Sequence, residues 1–66
     1  MDAPQIASRL KALRGNTPQK TVADACNISV SALAMYESGK RIPRDETKMA
    51  LARFYNAKVE TIFFNS

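Results

Sequence analysis

Basic side chains are concentrated in one short stretch of the chain. Lys40, Arg41 and Arg44 lie within five residues, and Pro43 stands between the two arginines. Lysine and arginine side chains neutralise the phosphates of a nucleic acid and form charge-assisted hydrogen bonds with them. A run of charges is more often a solvated surface, so this stretch alone leaves both readings open.

Residues that could support catalysis or bind a metal are missing from the sequence. The chain has no histidine, one cysteine (Cys26), no glycine-rich phosphate loop and no pair of carboxylates at a spacing suited to a cleft. Cysteine and histidine are the usual zinc ligands, and an unpaired cysteine is more often a small buried side chain than a redox sensor. We therefore expect no enzyme activity, no metal, no cofactor and no small-molecule ligand.

The length and charge of the chain narrow the function classes further. Its 66 residues form one domain, residues 1–66, and the net charge of +4 favours a polyanionic partner. No apolar run approaches the roughly 20 residues that span a bilayer. The start of the sequence lacks the basic and apolar regions of a signal peptide. We expect a cytoplasmic protein without a membrane partner.

Apolar residues recur at helical spacing along the whole chain. Ile6, Leu10 and Leu13 form one stripe of a first helix from Ala3 to Arg14, with Asp2 at its start. No alternating pattern predicts a strand. Further helices are expected from Thr17 or Pro18, from Ser29 to Ser38, from Asp45 to about Tyr55, and from Val59 to about Phe63. The predicted fold class is all-α, with five helices.

The second and third helices are predicted to meet at a tight turn. Asn27 suits a left-handed backbone, Ser29 can cap the next helix with its hydroxyl, and small Ala23 allows close approach. A helix, a left-handed turn and a capped helix make a helix-turn-helix arrangement, which mostly serves DNA. The predicted core side chains of the later helices are Val22, Ala23, Cys26, Leu33, Tyr36, Met49 and Ala52, with Leu51, Tyr55 or both.

With these features, the chain resembles the helix-turn-helix family of phage repressors and Cro proteins, which also includes small bacterial regulators. The segments that carry the resemblance are Arg9–Arg14, Gln19–Ala23, Ile28–Ser31, Tyr36–Pro43, Leu51–Arg53 and Val59–Phe63. The resemblance implies a compact five-helix, lambda-repressor-like fold. It also implies that the second helix lies across the DNA backbone and the third enters the major groove. Family members usually bind two-fold symmetric operators as dimers.

The resemblance also implies which side chains face the bases. The positions are Val30, Ser31, Ala34 and Met35, and none of them is the Arg, Gln or Asn that normally forms paired hydrogen bonds with a base. Val30 and Ala34 can pack on thymine methyl groups, and Ser31 can hydrogen-bond to a base edge. Part of the specificity would then come from DNA shape. The alternative is that Val30 and Met35 bind a partner protein.

Other positions receive phosphate-binding or structural roles from the same resemblance. The predicted phosphate contacts are Gln19, Lys40, Arg41 and Arg44, with Lys20 and Arg9 as further candidates. Arg14 and Glu37 match positions that form a partly buried ion pair between the first and third helices. In addition, Ile62, Phe63 and Phe64 exceed what a terminal turn can bury in so short a chain, so we predict a homodimer interface there. The alternative is that Phe63 covers its own core and Phe64 merely frays.

The sequence therefore predicts a sequence-specific, double-stranded DNA-binding transcription regulator. A Cro-like dimeric repressor that acts by occupying its operator fits best. The alternative from another class is a protein-interaction module, an antitoxin or adaptor that uses the apolar face of the third helix. The operator sequence, the regulated genes, the sign of regulation and a phage, mobile-element or chromosomal origin stay open.

Overall fold

The computed structural model describes residues 2–64, and these form five helices with no strand. The helices are α1 (Ala3–Arg14), α2 (Gln19–Ala25), α3 (Val30–Glu37), α4 (Asp45–Phe54) and α5 (Glu60–Phe64), of which α5 is a π-helical turn. The predicted all-α fold class is confirmed.

Helix α1 has the predicted bounds, but the Asp2 side chain makes no capping hydrogen bond. The Asp2 backbone carbonyl accepts the Ile6 N–H at 2.9 Å, which is the first bond of the helix. Pro4 lies in the first turn, where a missing N–H leaves no bond unmade. The helix ends at Gly15, which has a φ of 54°. Glycine tolerates this left-handed conformation because it has no Cβ.

The connection between α2 and α3 has the predicted turn geometry. Asn27 adopts a φ of 57°, and the Ile28 N–H donates to the Ala23 carbonyl at 2.9 Å. The Ser29 hydroxyl oxygen accepts the Ala32 N–H at 3.0 Å, which caps α3. These local bonds fix where α3 begins and therefore which of its side chains face outward.

Side chains from every helix meet in one hydrophobic core. Its largest fully buried side chains are those of Ile6, Leu10, Val22, Leu33, Leu51, Ile62 and Phe63. Each buried side chain of this kind contributes about 1.5–3 kcal/mol relative to an exposed one. The predicted core residues that are buried are Val22, Ala23, Cys26, Leu33, Tyr36, Leu51 and Ala52, while Tyr55 is half-buried. Leu33 and Tyr36 thus anchor the inner side of α3.

Two predicted inward-facing residues lie on the surface instead. Met49 is 54% exposed because the inner side of α4 is formed by Lys48, Leu51 and Ala52. A residue step turns an α-helix by about 100°, which places Met49 at the edge of that side. Leu13 is 41% exposed and lines an open cleft between the end of α1 and α5.

The C-terminal helix is part of the chain's own core. Ile62 and Phe63 are each 1% exposed, so the prediction that these two lie on a dimer interface is wrong. The physical reason is that α5 packs against α1, where Arg9 Nη1 donates to the Ile62 carbonyl oxygen at 3.0 Å. Phe64 points outward and is 52% exposed.

Candidate nucleic-acid interface

Helix α3 presents one exposed side. Val30, Ser31, Ala34 and Met35 are all exposed, and Val30 and Met35 each keep 41% of their surface accessible. With 3.6 residues per turn, these four positions lie on neighbouring rows of the helix. Leu33 faces the opposite way, into the core. The side of α3 that the resemblance turns towards DNA is therefore open to a partner.

This exposed side of α3 is chemically simple. Among its four residues, only Ser31 carries a side-chain hydrogen-bond donor, while Val30, Ala34 and Met35 offer aliphatic or thioether surface. Contact with a partner must depend mainly on shape and apolar packing.

The basic residues lie beside the same helix. Lys40, Arg41 and Arg44 are exposed, and both arginines line a shallow depression that also includes Ser29, the cap of α3. The Lys40 N–H donates to the Met35 carbonyl oxygen at 3.0 Å, which joins the loop to the end of α3. Within residues 2–64, none of the three basic side chains pairs with a carboxylate, so their charge is available to an anion.

A partly buried ion pair joins α1 and α3. Arg14 Nε lies 2.7 Å from Glu37 Oε2, and Arg14 Nη2 lies 2.9 Å from Glu37 Oε1. Arg14 Nη1 also donates to the Thr17 carbonyl oxygen at 2.9 Å. The hydrogen bond with Glu37 raises the pKa of Arg14, which keeps the guanidinium charged. The pair that the resemblance implies is thus present, and it fixes the end of α3 against the end of α1.

Gln19 is the first residue of α2 and belongs to the same junction. It is half-buried, and its Nε2 donates to Glu37 Oε1 at 3.0 Å. This bond uses one of the two amide N–H groups of the side chain, and the other stays available to a phosphate oxygen. The predicted phosphate contact of Gln19 remains a prediction.

The two further basic candidates have partners within the chain. Arg9 donates to the Ile62 carbonyl oxygen and, through Nη2, to Gln5 Oε1 at 3.2 Å. These bonds hold α5 on α1, and the phosphate contact of Arg9 remains a prediction. Lys20 Nζ lies 3.0 Å from Asp24 Oδ2 in a surface ion pair one helical turn apart.

Lys48 is a buried charge that the sequence reasoning missed. It is 6% exposed, and its Nζ lies 3.5 Å from Asp45 Oδ1 and 4.9 Å from the centre of the Phe64 ring. A lysine stem can cover apolar surface while its ammonium stays near the solvent, and an ammonium over an aromatic ring is attracted by the ring electrons. The spacing of Asp45 and Lys48 was the only sequence signal for this arrangement.

Burial also changes the ionisation of two residues behind the interface. It raises the pKa of Tyr55 to about 12 and raises the pKa of the Cys26 thiol. A thiol that resists ionisation is a poor nucleophile, which agrees with a packing role for Cys26. Across residues 2–64 there is no cluster of three or more His, Cys, Asp or Glu that could hold a metal ion.

The fold and this surface define the class of protein. A capped helix after a left-handed turn, with an exposed outer side and a basic loop next to it, is a helix-turn-helix unit. Residues 9–62 match the helix-turn-helix family, of the phage repressor and Cro type, and the chain belongs to that family. The match confirms the resemblance and indicates a DNA-binding regulator. No curated protein and no solved structure matches the chain.

No helix within residues 2–64 has both the length and the apolar character needed to cross a bilayer.

Proposed function

We propose that the protein is a sequence-specific transcription regulator, a Cro-like dimeric repressor that acts in the cytoplasm by occupying a two-fold symmetric operator. The observation that carries this proposal is the exposed side of α3, with Val30 and Met35 each 41% exposed beside the basic loop. Repression by occupancy requires only that the bound protein exclude polymerase, so it needs no ligand and no catalytic group.

The proposed DNA contacts are of two kinds: phosphate contacts, which position the protein, and base contacts, which read the sequence. Helix α3 enters the major groove, where Val30, Ser31, Ala34 and Met35 reach the base edges, and α2 crosses the backbone. The phosphate contacts come from Gln19, Lys40, Arg41 and Arg44. These phosphate contacts set the register of α3 on the duplex and supply most of the salt-dependent affinity.

A second copy of the chain is the proposed partner of an apolar surface at α4 and α5. Met49 and Phe64 are more than half exposed and line one depression with half-buried Val59. Adjoining exposed apolar side chains favour a protein contact, and a two-fold axis lets Phe64 of each copy cover the other. The two α3 helices would then meet half-sites roughly 34 Å apart, which is one turn of DNA.

The direct test of the DNA-binding proposal is Arg41→Ala, measured on random duplex DNA over a series of salt concentrations. The loss of one phosphate contact lowers the slope of log K against log salt by about 0.9 per protomer and weakens all sequences alike. The matched control is Lys58→Ala, because Lys58 is also exposed and carries the same charge but lies in the connection between α4 and α5.

The outcomes separate the proposal from its rival. A loss of affinity confined to one operator contradicts the phosphate role of Arg41. An equal loss of affinity for Lys58→Ala would show that only the net charge of the protein matters. A protein that binds no random duplex even at low salt would instead be the protein-interaction module. The exposed Val30 and Met35 side chains are the observation that favours that second candidate.

A further inference from the structure

We propose that this protein recognises its operator through the methyl groups of thymine, with Val30, Ala34 and Met35 as the reading residues. The inference deepens the proposed function and depends on it. It starts from the exposed side of α3, where three of the four residues have no side-chain hydrogen-bonding donor and Ser31 has the remaining polar group.

In the major groove, an apolar side chain has one favourable group to contact. Guanine, cytosine and adenine present hydrogen-bonding groups there, while thymine adds a C5 methyl group. An aliphatic side chain pressed against a polar base edge leaves that edge without a partner, which is unfavourable. The same side chain gains free energy when it buries a methyl group. The face therefore favours thymine and disfavours guanine and cytosine.

The position of Val30 strengthens the argument. It is the first residue of α3, directly after the Ser29 cap, and the N-terminal residues of a recognition helix are those that contact base edges. Its branched side chain has few rotamers, so its methyl groups form a fixed surface. The Ser29 cap holds the first turn in place, because the Ser29 hydroxyl bonds to the Ala32 N–H.

Ala34 and Met35 extend the proposed contact along the duplex. Ala34 lies one turn beyond Val30, and Met35 one turn beyond Ser31, which is about 6 Å along the helix axis. Base pairs follow each other at about 3.4 Å, so the two rows span neighbouring base pairs. Met35 has a flexible thioether side chain that adapts to the groove. We therefore expect two or more contacted thymines in each half-site.

Replacement of thymidine by deoxyuridine tests the inference, because it removes the methyl group and keeps every hydrogen-bonding group. A duplex is first enriched from a random pool on the full chain, and each thymidine is then replaced in turn. We expect at least two positions per half-site at which binding weakens about fourfold, the equivalent of about 0.8 kcal/mol per buried CH2 group.

A protein variant links the effect to one side chain. Val30→Ala should abolish the deoxyuridine penalty at the thymine that Val30 covers and leave the penalties at the other thymines unchanged. Together, the protein and DNA changes form a double-mutant cycle across the interface. The variant should fold, since Val30 is exposed and alanine favours helix. Leu13→Ala is the matched control, an exposed side chain on α1 outside the proposed DNA and dimer contacts, and it should leave every penalty unchanged.

The results that overturn this inference differ from those that overturn DNA binding. Equal affinity for the thymidine and deoxyuridine duplexes, with an enriched site and salt-sensitive binding intact, would reject thymine recognition but not DNA binding. An enriched site whose essential bases are guanines would also reject thymine recognition. The absence of both enrichment and salt-sensitive binding removes the proposed function itself.

Discussion

The hydroxyl of Tyr55 is the least satisfied polar group in the described part of the chain. It is buried, and no residue from 2 to 64 offers it a hydrogen-bond partner, while its ring packs edge-on against Phe54 at 5.1 Å between centres. Desolvation, with the nearby Glu37 carboxylate as a smaller cause, raises its pKa from 10.0 to about 12. The folded state thus favours the neutral phenol over the phenolate.

This shift predicts a pH dependence of stability. Because the folded pKa is higher than the unfolded one, the stabilisation is complete below pH 10 and is lost as the pH rises from 10 to about 12. Tyr55→Phe removes the titrating group, so its free energy of unfolding should fall less over this interval than that of the unchanged chain. At neutral pH the variant should be at least as stable, since it no longer buries an unpaired hydroxyl.

Urea unfolding at neutral pH and between pH 10 and 12 measures both effects. Parallel losses in the two proteins would show that Tyr55 does not contribute to the alkaline transition. A variant clearly less stable at neutral pH would mean that the hydroxyl has a favourable contact.

Several single-residue roles could not be predicted from sequence, because each depends on a partner distant in the chain. From the sequence, Arg9 is expected to be a surface cation, but in the structure it donates to the Ile62 carbonyl oxygen of α5. Lys48 is likewise expected to be exposed, but its ammonium lies over the Phe64 ring. In contrast, the Arg14–Glu37 pair was identified through the family resemblance, since no local pattern connects residues so far apart.

At the scale of elements, the Ser29 cap is the bond that defines where α3 begins. We expect Ser29→Ala to lower the free energy of unfolding by about 1 kcal/mol, because the Ala32 N–H loses its acceptor. Urea unfolding measures the loss. Ser8→Ala is the control, because Ser8 is exposed within α1 and alanine is the better helix former.

A companion variant isolates the cap from other effects of the serine. Ser29→Asp retains a side-chain acceptor and should keep most of the stability that Ser29→Ala loses. If Ser29→Asp and Ser29→Ala are equally destabilised, the capping bond is not the cause.

Helix bounds were predictable where the signals are local. The end of α1 at Gly15, the turn at Asn27 and the cap at Ser29 depend on neighbouring residues, so the sequence alone was sufficient. The exposure of Leu13 and Met49 was not predictable, because it depends on how α5 packs on α1 and on which side of α4 faces the core. The π-helical form of α5 likewise has no local signal.

At the scale of the whole molecule, substitutions of the neighbouring residues Phe63 and Phe64 should have different effects. Phe64→Asp places a charge on the exposed surface at α4 and α5, so it should convert a dimer to a folded monomer. Phe63→Asp places a charge in the core, where Phe63 is 1% exposed, and should unfold the chain. Sedimentation gives the mass, and circular dichroism gives the helix content.

The dimer proposal fails if the unchanged protein sediments as a monomer at the concentrations where it binds DNA. It also fails if Phe64→Asp keeps the mass of two chains. A folded Phe63→Asp variant would contradict the burial of that side chain instead.

Prediction at this scale succeeded for the fold, while the DNA contacts remain predictions. The order of helices and the turn before α3 indicated the helix-turn-helix arrangement, and the positions on α3 that the resemblance turns towards DNA are exposed. The burial of Ile62 and Phe63 could not be predicted, because apolar residues at a chain end are equally suited to a core and to an interface. Only the packing of α5 on α1 distinguishes Ile62 and Phe63 from Phe64.

Helix α3 keeps its structural and its outward-facing residues on separate sides. Leu33 and Tyr36 stabilise the fold, whereas Val30, Ala34 and Met35 make no contribution to the buried core. Substitutions on the outer side therefore leave the scaffold intact. Under the proposed function, a lineage or an engineer can retarget such a protein to a new sequence by exchanging a few side chains, without compensating changes elsewhere.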